Sequence, residues 1–282
     1  MVTVPARAFA EPEVRVIRPS RGWPGPDLRE LWRYRELLLF LAWRTILVRY
    51  KQTLLGLAWA VLQPLSLMVV LTLFFASYAK RGSIPGPIFF YAGLVPWTFF
   101  ANAVTQSSNS LVGNANLISK VYFPRLAAPL SAVLAALVDF AAAFGVFVVM
   151  MLAYGRYPDS AAAAALPGLL VLAVVTALGL GLWLSALNVS YRDVQFVIPF
   201  LIQIGLFASA VAFSTANIAE PWRTVLGVNP MATVVQGFRW GLLGAQPAIG
   251  WMAAISVPVA LLLLVSGAVY FRRLERSFAD VI

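Results

Sequence analysis

The sequence alternates long apolar runs with short stretches that carry most of its charged residues. A helix needs about 20 consecutive apolar residues to cross the hydrocarbon core of a bilayer. The apolar runs near this length predict spans at residues 54–78, 88–110, 126–152, 166–187, 196–213 and 249–271. The pattern predicts an all-α integral membrane protein, with six transmembrane helices in a domain at residues 54–271.

A different pattern precedes the first span. Residues 1–26 contain five prolines, which disfavour a helix and predict a flexible N-terminal arm. From Asp27, a favourable helix cap, apolar residues recur at helical spacing through Tyr50, while charged residues occupy other faces. Residues 27–53 are therefore predicted to form an amphipathic helix in the membrane interface. This helix either anchors the protein or forms a wall beside the place where an amphipathic substrate enters.

Residues 214–247 are largely apolar, but they contain too many prolines and glycines for one membrane crossing. Two short helical pieces, at residues 222–228 and 231–243, can dip into the membrane and return if protein or water covers their backbone ends. We interpret this stretch as a re-entrant gate on the outer side. The alternative is an external loop that lies on the lipid headgroups. The residues assigned to the gate are Trp222, Arg223, Asn229, Pro230 and Arg239.

Composition supports the membrane assignment, because 61% of the residues are apolar, 11% are charged and the mean hydropathy is +0.83. The sequence contains no cysteine and no histidine. It therefore cannot form disulfides or thiolate metal sites, and it lacks the commonest general base and metal ligand. No catalytic, cofactor or metal site is predicted in this chain.

The net charge of +10 could indicate nucleic-acid binding, but the basic residues cluster before the first span and at the ends of apolar runs. With both termini on the cytoplasmic side, 16 of the 21 lysines and arginines lie inside and five lie outside. Cytoplasmic loops of membrane proteins carry such an excess of positive charge. The distribution predicts cytoplasmic termini, an even number of spans and a cytoplasmic tail at residues 272–282.

Two short polar loops lie on the predicted cytoplasmic side. In the first, at residues 111–125, glycine and asparagine end the second span, residues 117–122 can form a short helix, and Pro124 turns the chain into the third span. Such a helix suits docking into a groove of a partner protein. The second loop places Arg192 beside Asp193, where the pair could serve only to tether the end of the fourth span.

Six segments occur in order along nearly the whole chain: VRYKQTLLGLAWAVLQPL, YAGLVPWTFF, SSNSLVGNANLISKVYFPRLAAPLSAVLAALVDF, LSALNVSYRDV, VNPMATVVQGFRW and YFRRLERSFADVI. In these segments the sequence resembles the membrane permease subunits of bacterial ABC exporters for polysaccharides. This type 2 group moves lipid-linked O-antigen, capsule or teichoic acid chains. The sequence is more similar to the O-antigen and teichoic acid branch than to the capsule branch.

The resemblance implies a homodimer of this chain joined to two copies of a separate nucleotide-binding subunit, which would bind ATP and Mg²⁺. The chain would then be a transport subunit and not an enzyme. The sequence agrees, because none of its three lysines follows a glycine, as a phosphate-binding Walker A loop requires. In the family the first cytoplasmic loop couples ATP hydrolysis to transport. The implied coupling residues are Asn114, Asn116, Leu117, Ile118, Ser119, Lys120, Val121, Tyr122, Phe123 and Pro124.

A lipid-linked glycan needs aromatic surfaces for its sugar rings and cations for its pyrophosphate. The candidates for the glycan path are Tyr91, Trp97, Phe99, Phe100 and Trp183, each of which could instead contact lipid. The candidates for pyrophosphate binding where the substrate enters are Arg44, Arg49 and Lys51. These cations are predicted at inner headgroup depth, where they can attract anionic groups and also determine topology.

Asp139 is the one acidic residue predicted deep within a span. Such a carboxylate either forms a structural hydrogen bond at a helix or subunit interface or relays protons. Proton relay would need a cationic or second acidic partner at similar depth, and none is predicted in the other spans.

Three functions stay open at this point. They are the permease of an ATP-driven exporter, a proton-coupled lipid-glycan flippase that acts without an ATPase, and a membrane-embedded lipid-glycan transferase. A transferase would need clustered acidic residues, whereas the 11 acidic residues are scattered. We expect the exporter, which implies the bacterial cytoplasmic membrane.

Overall fold

The computed structural model describes residues 28–51, 53, 56–79, 84–118, 120, 123–158, 160–219, 221–245, 250–275 and 278. Within these ranges the regular structure is entirely helical. The α-helices are α1 (Leu28–Arg33), α2 (Arg35–Tyr50), α3 (Ala58–Ala79), α4 (Gly86–Gly113), α5 (Ala115–Ile118), α6 (Ala127–Ala153), α7 (Ser160–Ala163), α8 (Leu166–Ser190), α9 (Val194–Ala208), α10 (Trp222–Gly227), α11 (Pro230–Leu243) and α12 (Gly250–Leu274). The predicted N-terminal arm lies outside the described residues.

Five helices in the described part of the chain are long and apolar enough to cross a membrane, namely α3, α4, α6, α8 and α12. They coincide with five of the six predicted spans. The predicted span at residues 196–213 differs, because α9 contains only 15 residues and is about 22 Å long at 1.5 Å per residue. The hydrocarbon core of a bilayer is about 30 Å thick. Helix length alone therefore supports five crossings among the described residues.

The centre of the bundle is α4, which packs against α6, α8, α3 and α11. Much of its length is buried, and its aromatic rings pair with rings of α6. Tyr91 stacks on Phe147 with 6.2 Å between ring centroids, and Phe99 meets Phe140 edge-on at 5.7 Å. Such pairs bury large apolar surfaces and are stabilised further by their ring geometry.

The helices α8 and α12 approach each other closely through glycine. The carbonyl oxygen of Gly179 lies 2.5 Å from the place that a Cβ on Gly267 would occupy. Small residues let the backbones of membrane helices pack at short distance. The two helices are therefore held together in their C-terminal halves.

A second apolar cluster forms where the C-terminal ends of α4, α8 and α12 meet the N-terminal end of α6. We call it the loop-end cluster, and its buried members are Leu41, Leu111, Ile118, Phe123, Ala127, Ala128, Leu182, Ala186, Val189, Ala268, Phe271 and Phe278. Because these helix ends come from distant parts of the sequence, the cluster joins the predicted coupling loop to four long helices.

The predicted amphipathic helix at residues 27–53 consists of two helices rather than one. Tyr34 interrupts it with φ −96° and ψ 21°, which are not helical values. From Arg35 onward, α2 packs on α6 and buries Leu38, Leu41 and Ala42. Other apolar side chains of α2 stay exposed: Leu39, Phe40, Trp43, Leu47 and Val48. A helix with this second apolar surface suits the membrane interface.

Candidate functional site

Arg49 and Tyr50, at the C-terminal end of α2, both contact the carboxylate of Asp139 on α6. Arg49 Nη1 forms an ion pair with Asp139 Oδ2, and the Tyr50 hydroxyl donates to Oδ1. Asp139 is buried, and Arg49 is half-buried. Burial, with a smaller effect of the hydrogen bond to Asp139, raises the pKa of Tyr50 to about 12. The hydroxyl therefore stays protonated and remains a donor at neutral pH.

The ion pair shows how the charge of Asp139 is compensated without a cation from another span. The sequence predicts no cationic partner for Asp139 at similar depth in the other spans. The partner comes instead from α2, which lies outside the spans and packs directly on α6. A buried carboxylate in a membrane helix is normally paired in this way.

A polar cavity of about 480 Å³ lies between α2, α4 and α6, beside the ion pair. Its polar lining consists of Arg44, Arg49 and the hydroxyl or amide side chains of Thr45, Thr105, Gln106, Asn109, Ser110, Asn114 and Ser131. The other lining residues are Leu41, Val48, Gly113, Ala128 and Ala132. Within the described part of the chain, Gln106 Oε1 is buried without a hydrogen-bond partner. Lys51 is exposed just after α2 and does not line the cavity. Two of the three predicted pyrophosphate-binding cations thus share one cavity.

Arg44 connects this cavity to the predicted coupling loop. Its Nη1 donates to Asn114 Oδ1 at 3.1 Å. The amide of Asn114 also donates to the carbonyl of Ser110 at 2.7 Å, at the end of α4. One asparagine therefore contacts both the interfacial helix and the C-terminal end of the central helix.

The short helix of the coupling loop is α5, at Ala115–Ile118, whereas the sequence predicts a helix at 117–122, of which residues 119, 121 and 122 lie outside the described part of the chain. It starts directly after α4 because the carbonyl of Asn114 accepts hydrogen bonds from the backbone N–H groups of Leu117 and Ile118, at 2.9 and 3.0 Å. The chain therefore re-enters a helical turn two residues earlier than the polar pattern indicated.

The two sides of the coupling loop differ in exposure. Ile118 and Phe123 are buried in the loop-end cluster and anchor the loop. Asn116 and Lys120 are exposed, whereas Leu117 and Pro124 are half-buried. The remaining predicted coupling residues, Ser119, Val121 and Tyr122, lie outside the described residues. The described part of the loop presents a polar surface over an apolar base.

Arg239, on α11, is fully buried, and its guanidinium donates to four backbone carbonyls at 2.5–3.2 Å. The acceptors are the carbonyls of Phe89, Ala210, Val211 and Phe213. Three of them follow the end of α9, where Ala210 has φ +56°, a value that residues other than glycine rarely adopt. Carbonyls at a buried helix end need donors. Arg239 supplies these donors and fixes the position of the segment that follows α9.

Asn229, which caps the N-terminal end of α11, contacts the same segment after α9. Its Oδ1 accepts from the N–H of Met231 at 3.0 Å and caps α11, and Pro230 occupies the first turn. Its amide also donates to the carbonyl of Ala208 at 3.1 Å and to Ser209 Oγ at 3.0 Å. We call the segment 208–213 with Asn229 and Arg239 the α9–α11 joint.

The helix α10 is more exposed than the joint. Trp222 is 68% exposed, and half-buried Arg223 donates to the carbonyl of Ile218 at 2.9 Å. The helices α10 and α11 lie where the two short helical pieces were predicted. The predicted gate residues thus divide between a buried joint and an exposed helix.

Four of the five aromatic residues predicted to line a glycan path are buried inside this chain. Tyr91, Trp97, Phe99 and Phe100 are each no more than 6% exposed. The Tyr91 hydroxyl donates to the carbonyl of Ala143 at 3.3 Å, and Trp97 packs against α9 at Gly205. These side chains form the core of the bundle, so glycan could contact them only if the helices separated.

Trp183 differs from the other four aromatic residues because it is only half-buried. Its ring stacks on Tyr270 of α12 with 4.1 Å between centroids, and its Nε1 donates to Ser266 Oγ at 3.1 Å. This arrangement links α8 to α12 close to the loop-end cluster.

Residues 36–243 match the family described as ABC-2 type transporter, which covers most of the chain from α2 to α11. The chain belongs to the ABC-2 type transporter family. Over 263 residues it is 31% identical to the O-antigen export system permease protein RfbA of Myxococcus xanthus, an alignment that covers 90% of this chain and 98% of the relative. The resemblance inferred from the sequence is therefore confirmed.

Two further relatives extend the comparison. The chain is 27% identical over 248 residues to the O-antigen export system permease protein RfbA of Klebsiella pneumoniae, with 88% of this chain and 95% of the relative covered. It is 25% identical over 245 residues to the polysialic acid transport protein KpsM of Escherichia coli, with 85% of this chain and 93% of the relative covered. Family membership and the long apolar helices identify a multi-pass protein of the bacterial inner membrane.

One polar residue of this ABC-2 type transporter chain was not predicted as important. Asn188, near the end of α8, is buried, and its amide donates to the carbonyl of Ser108 at 3.1 Å and to Asn109 Oδ1 at 3.0 Å. Asn109 also lines the polar cavity. An asparagine within an otherwise apolar run is the sequence signal for such a contact. The neighbouring Arg192 and Asp193, predicted as a tether, are both exposed.

Proposed function

We propose that this chain is the transmembrane permease subunit of an ATP-driven exporter that moves lipid-linked polysaccharide, most similar to O-antigen or teichoic acid, across the bacterial cytoplasmic membrane. The observation that carries the proposal is similarity over 85–90% of the chain to permeases named for O-antigen export and polysialic acid transport. An exporter driven by ATP whose membrane subunit has no phosphate-binding loop needs a separate subunit that hydrolyses ATP. ATP and Mg²⁺ belong to that partner.

The proposed assembly contains two copies of this chain and two ATPase subunits. Each copy has both termini in the cytoplasm and crosses the membrane six times, with α9 and the segment after it as a short fifth crossing. The helices α10 and α11 then form a re-entrant hairpin on the outer side. Support comes from the basic residues near the loop-end cluster, which are Lys120, Arg125, Arg192, Arg272 and Arg273.

The polar cavity is the proposed place where the pyrophosphate of the lipid-linked substrate enters. Arg44 is available at its rim for an anionic group, and nearby Lys51 adds a second cation; each contributes roughly 1 kcal/mol near a membrane surface. Arg49 contributes less, because Asp139 already compensates its charge. The buried acceptor of Gln106 supports a polar occupant, since buried polar atoms normally have a partner.

The exposed surface of the coupling loop is the proposed contact with the ATPase. Asn116 and Lys120 face outward, while Ile118 and Phe123 fix the loop to the bundle. Because the loop is anchored on its apolar side, it can transmit movement to the bundle without refolding. The predicted contact residues that lie outside the described part of the chain belong to the same proposal.

Purification from the native host tests this function. The tagged chain should copurify in mild detergent with an ATPase subunit in equal amounts, and ATP should drive export of radiolabelled lipid-linked glycan in inverted vesicles. Lys120→Glu should reduce ATP-driven export, whereas Arg273→Glu, at the same end of the bundle but outside the loop, should not. Export by the chain alone, without ATP, would contradict the proposal.

A further inference from the structure

The last described part of the chain packs against the base of the coupling loop. Phe278 is fully buried and meets Phe271 edge-on, with 5.3 Å between ring centroids. Both rings belong to the loop-end cluster, together with Ile118 and Phe123 of the coupling loop. The chain beyond α12 therefore contributes an apolar side chain to the surface on which the loop rests.

A polar contact joins the same two segments. Arg125, the last residue of the coupling loop, donates through Nη1 to the carbonyl of Glu275, and its guanidinium lies 5.9 Å from the centroid of the Phe278 ring. Glu275 in turn pairs with Arg272 at 3.2 Å, one turn earlier on α12. Carbonyls at the C-terminal end of a helix lack partners within the helix, and a cation is favourable there.

We propose that Glu275 and Phe278 position the ATPase-coupling loop, so that movement of the loop is transmitted to α12. The proposal rests on the proposed function, since it requires that an ATPase acts on this loop. The α5 helix has four residues, and a helix of that length is not stable alone. Its position must therefore be set by the side chains beneath it.

The path from the loop into the membrane is continuous. Arg125 contacts the turn after α12, and α12 packs closely on α8 through Gly179 and Gly267. A displacement of the loop would act on both helices through these contacts. The contacts that Glu275 and Phe278 make with the coupling loop are thus a mechanical link. Their loss should weaken coupling without removing the ATPase-binding surface of the loop.

The test uses the full complex purified with its ATPase, in wild-type form and with Phe278→Ala or Arg125→Gln. ATP hydrolysis and glycan export are measured on the same vesicles. We expect export per ATP hydrolysed to fall at least about fivefold, the lower range of ordinary coupling between two sites. ATPase copurification and the KM for ATP should stay unchanged. Phe278→Leu, which keeps an apolar side chain, should restore most of the coupling.

A matched variant separates coupling from stability. Phe147 is also fully buried, but it lies in the α4–α6 core, apart from the loop-end cluster. Phe147→Ala should lower thermal stability as Phe278→Ala does, while export and ATP hydrolysis fall together. If Phe278→Ala also lowers both activities in parallel, or changes neither, the positioning role is wrong.

A label on the loop provides a second readout. Since the chain has no cysteine, Val112→Cys, at an exposed position of the loop outside the proposed ATPase contact, introduces a single site for a spin label. ATP should change the mobility of this label in the wild-type background and change it less with Phe278→Ala. Equal changes in both backgrounds would overturn the inference. Absence of any ATPase in the wild-type preparation would instead contradict the proposed function.

Discussion

Gly93 lies directly against the guanidinium of Arg239, because a Cβ at position 93 would be 2.7 Å from Arg239 Nη2. The guanidinium has little freedom to move, since four carbonyls and the face of the Phe89 ring hold it in place. A glycine on the central helix thus makes room for a buried side chain that fixes the end of α9.

The first prediction follows from this contact. Gly93→Ala should lower the free energy of unfolding by about 1–3 kcal/mol, the usual cost of overpacking a core. The measurement is thermal unfolding in detergent, followed by tryptophan fluorescence. Gly145→Ala is the matched control, because Gly145 also lies in a transmembrane helix and a Cβ there would meet nothing within 4 Å. The prediction fails if both variants unfold at the same temperature.

The second prediction concerns the α9–α11 joint. Asn229→Ala should lower the free energy of unfolding by about 1–2 kcal/mol, because it removes a helix cap and two donated hydrogen bonds. Asn229→Asp keeps the acceptor for the N–H of Met231 but loses the donated bonds to Ala208 and Ser209. Its stability should lie between those of wild type and Asn229→Ala. An Asp variant as unstable as the Ala variant would show that capping contributes nothing.

The third prediction addresses the role of Asp139. Asp139→Asn leaves Arg49 without its counter-charge and should destabilise the protein, and Arg49→Gln should do the same. The double variant should be less unstable than the sum of the single changes, with a coupling energy of about 1–3 kcal/mol. Thermal unfolding of all four proteins gives this energy. Additive effects would mean that the ion pair is not a stabilising unit.

The long transmembrane helices were predictable because hydropathy and length are local properties of the sequence. The partners of the buried charged side chains could not be predicted in this way. Arg49 is 90 residues from Asp139, and the acceptors of Arg239 lie 26 to 150 residues away. The packing of α2 on α6, and of α11 on α4 and on the segment after α9, brings these groups together.

The aromatic residues show a second limit of the sequence. Tyr91 and Trp97 carry polar atoms and lie within a span, features that fit a glycan path as well as a core. Hydropathy cannot distinguish these two settings, because a helix surrounded by other helices and one that faces lipid are equally apolar. The burial of these rings follows from the central position of α4, which depends on contacts with six other helices.

The fourth prediction tests the polar cavity as the place where substrate enters. Arg44→Gln should weaken binding of a polyprenyl pyrophosphate about fivefold, which corresponds to the loss of roughly 1 kcal/mol. The loss should shrink at high salt, because exposed charges are screened. Arg192→Gln, an exposed cation at the same end but outside the cavity, is the control and should bind as wild type does. Equal losses in both variants would indicate general attraction to the membrane surface instead.

The fifth prediction decides whether α9 crosses the membrane. Because the chain has no cysteine, single cysteines can be introduced on either side of α9, at exposed Arg192 and exposed Trp222. In intact spheroplasts an impermeant maleimide should label Trp222→Cys, whereas Arg192→Cys should be labelled only after permeabilisation. Such a result requires a crossing between the two positions, even though α9 has only 15 residues. Labelling of both positions from the same side would mean that α9 lies along one surface and that the six-crossing topology is wrong.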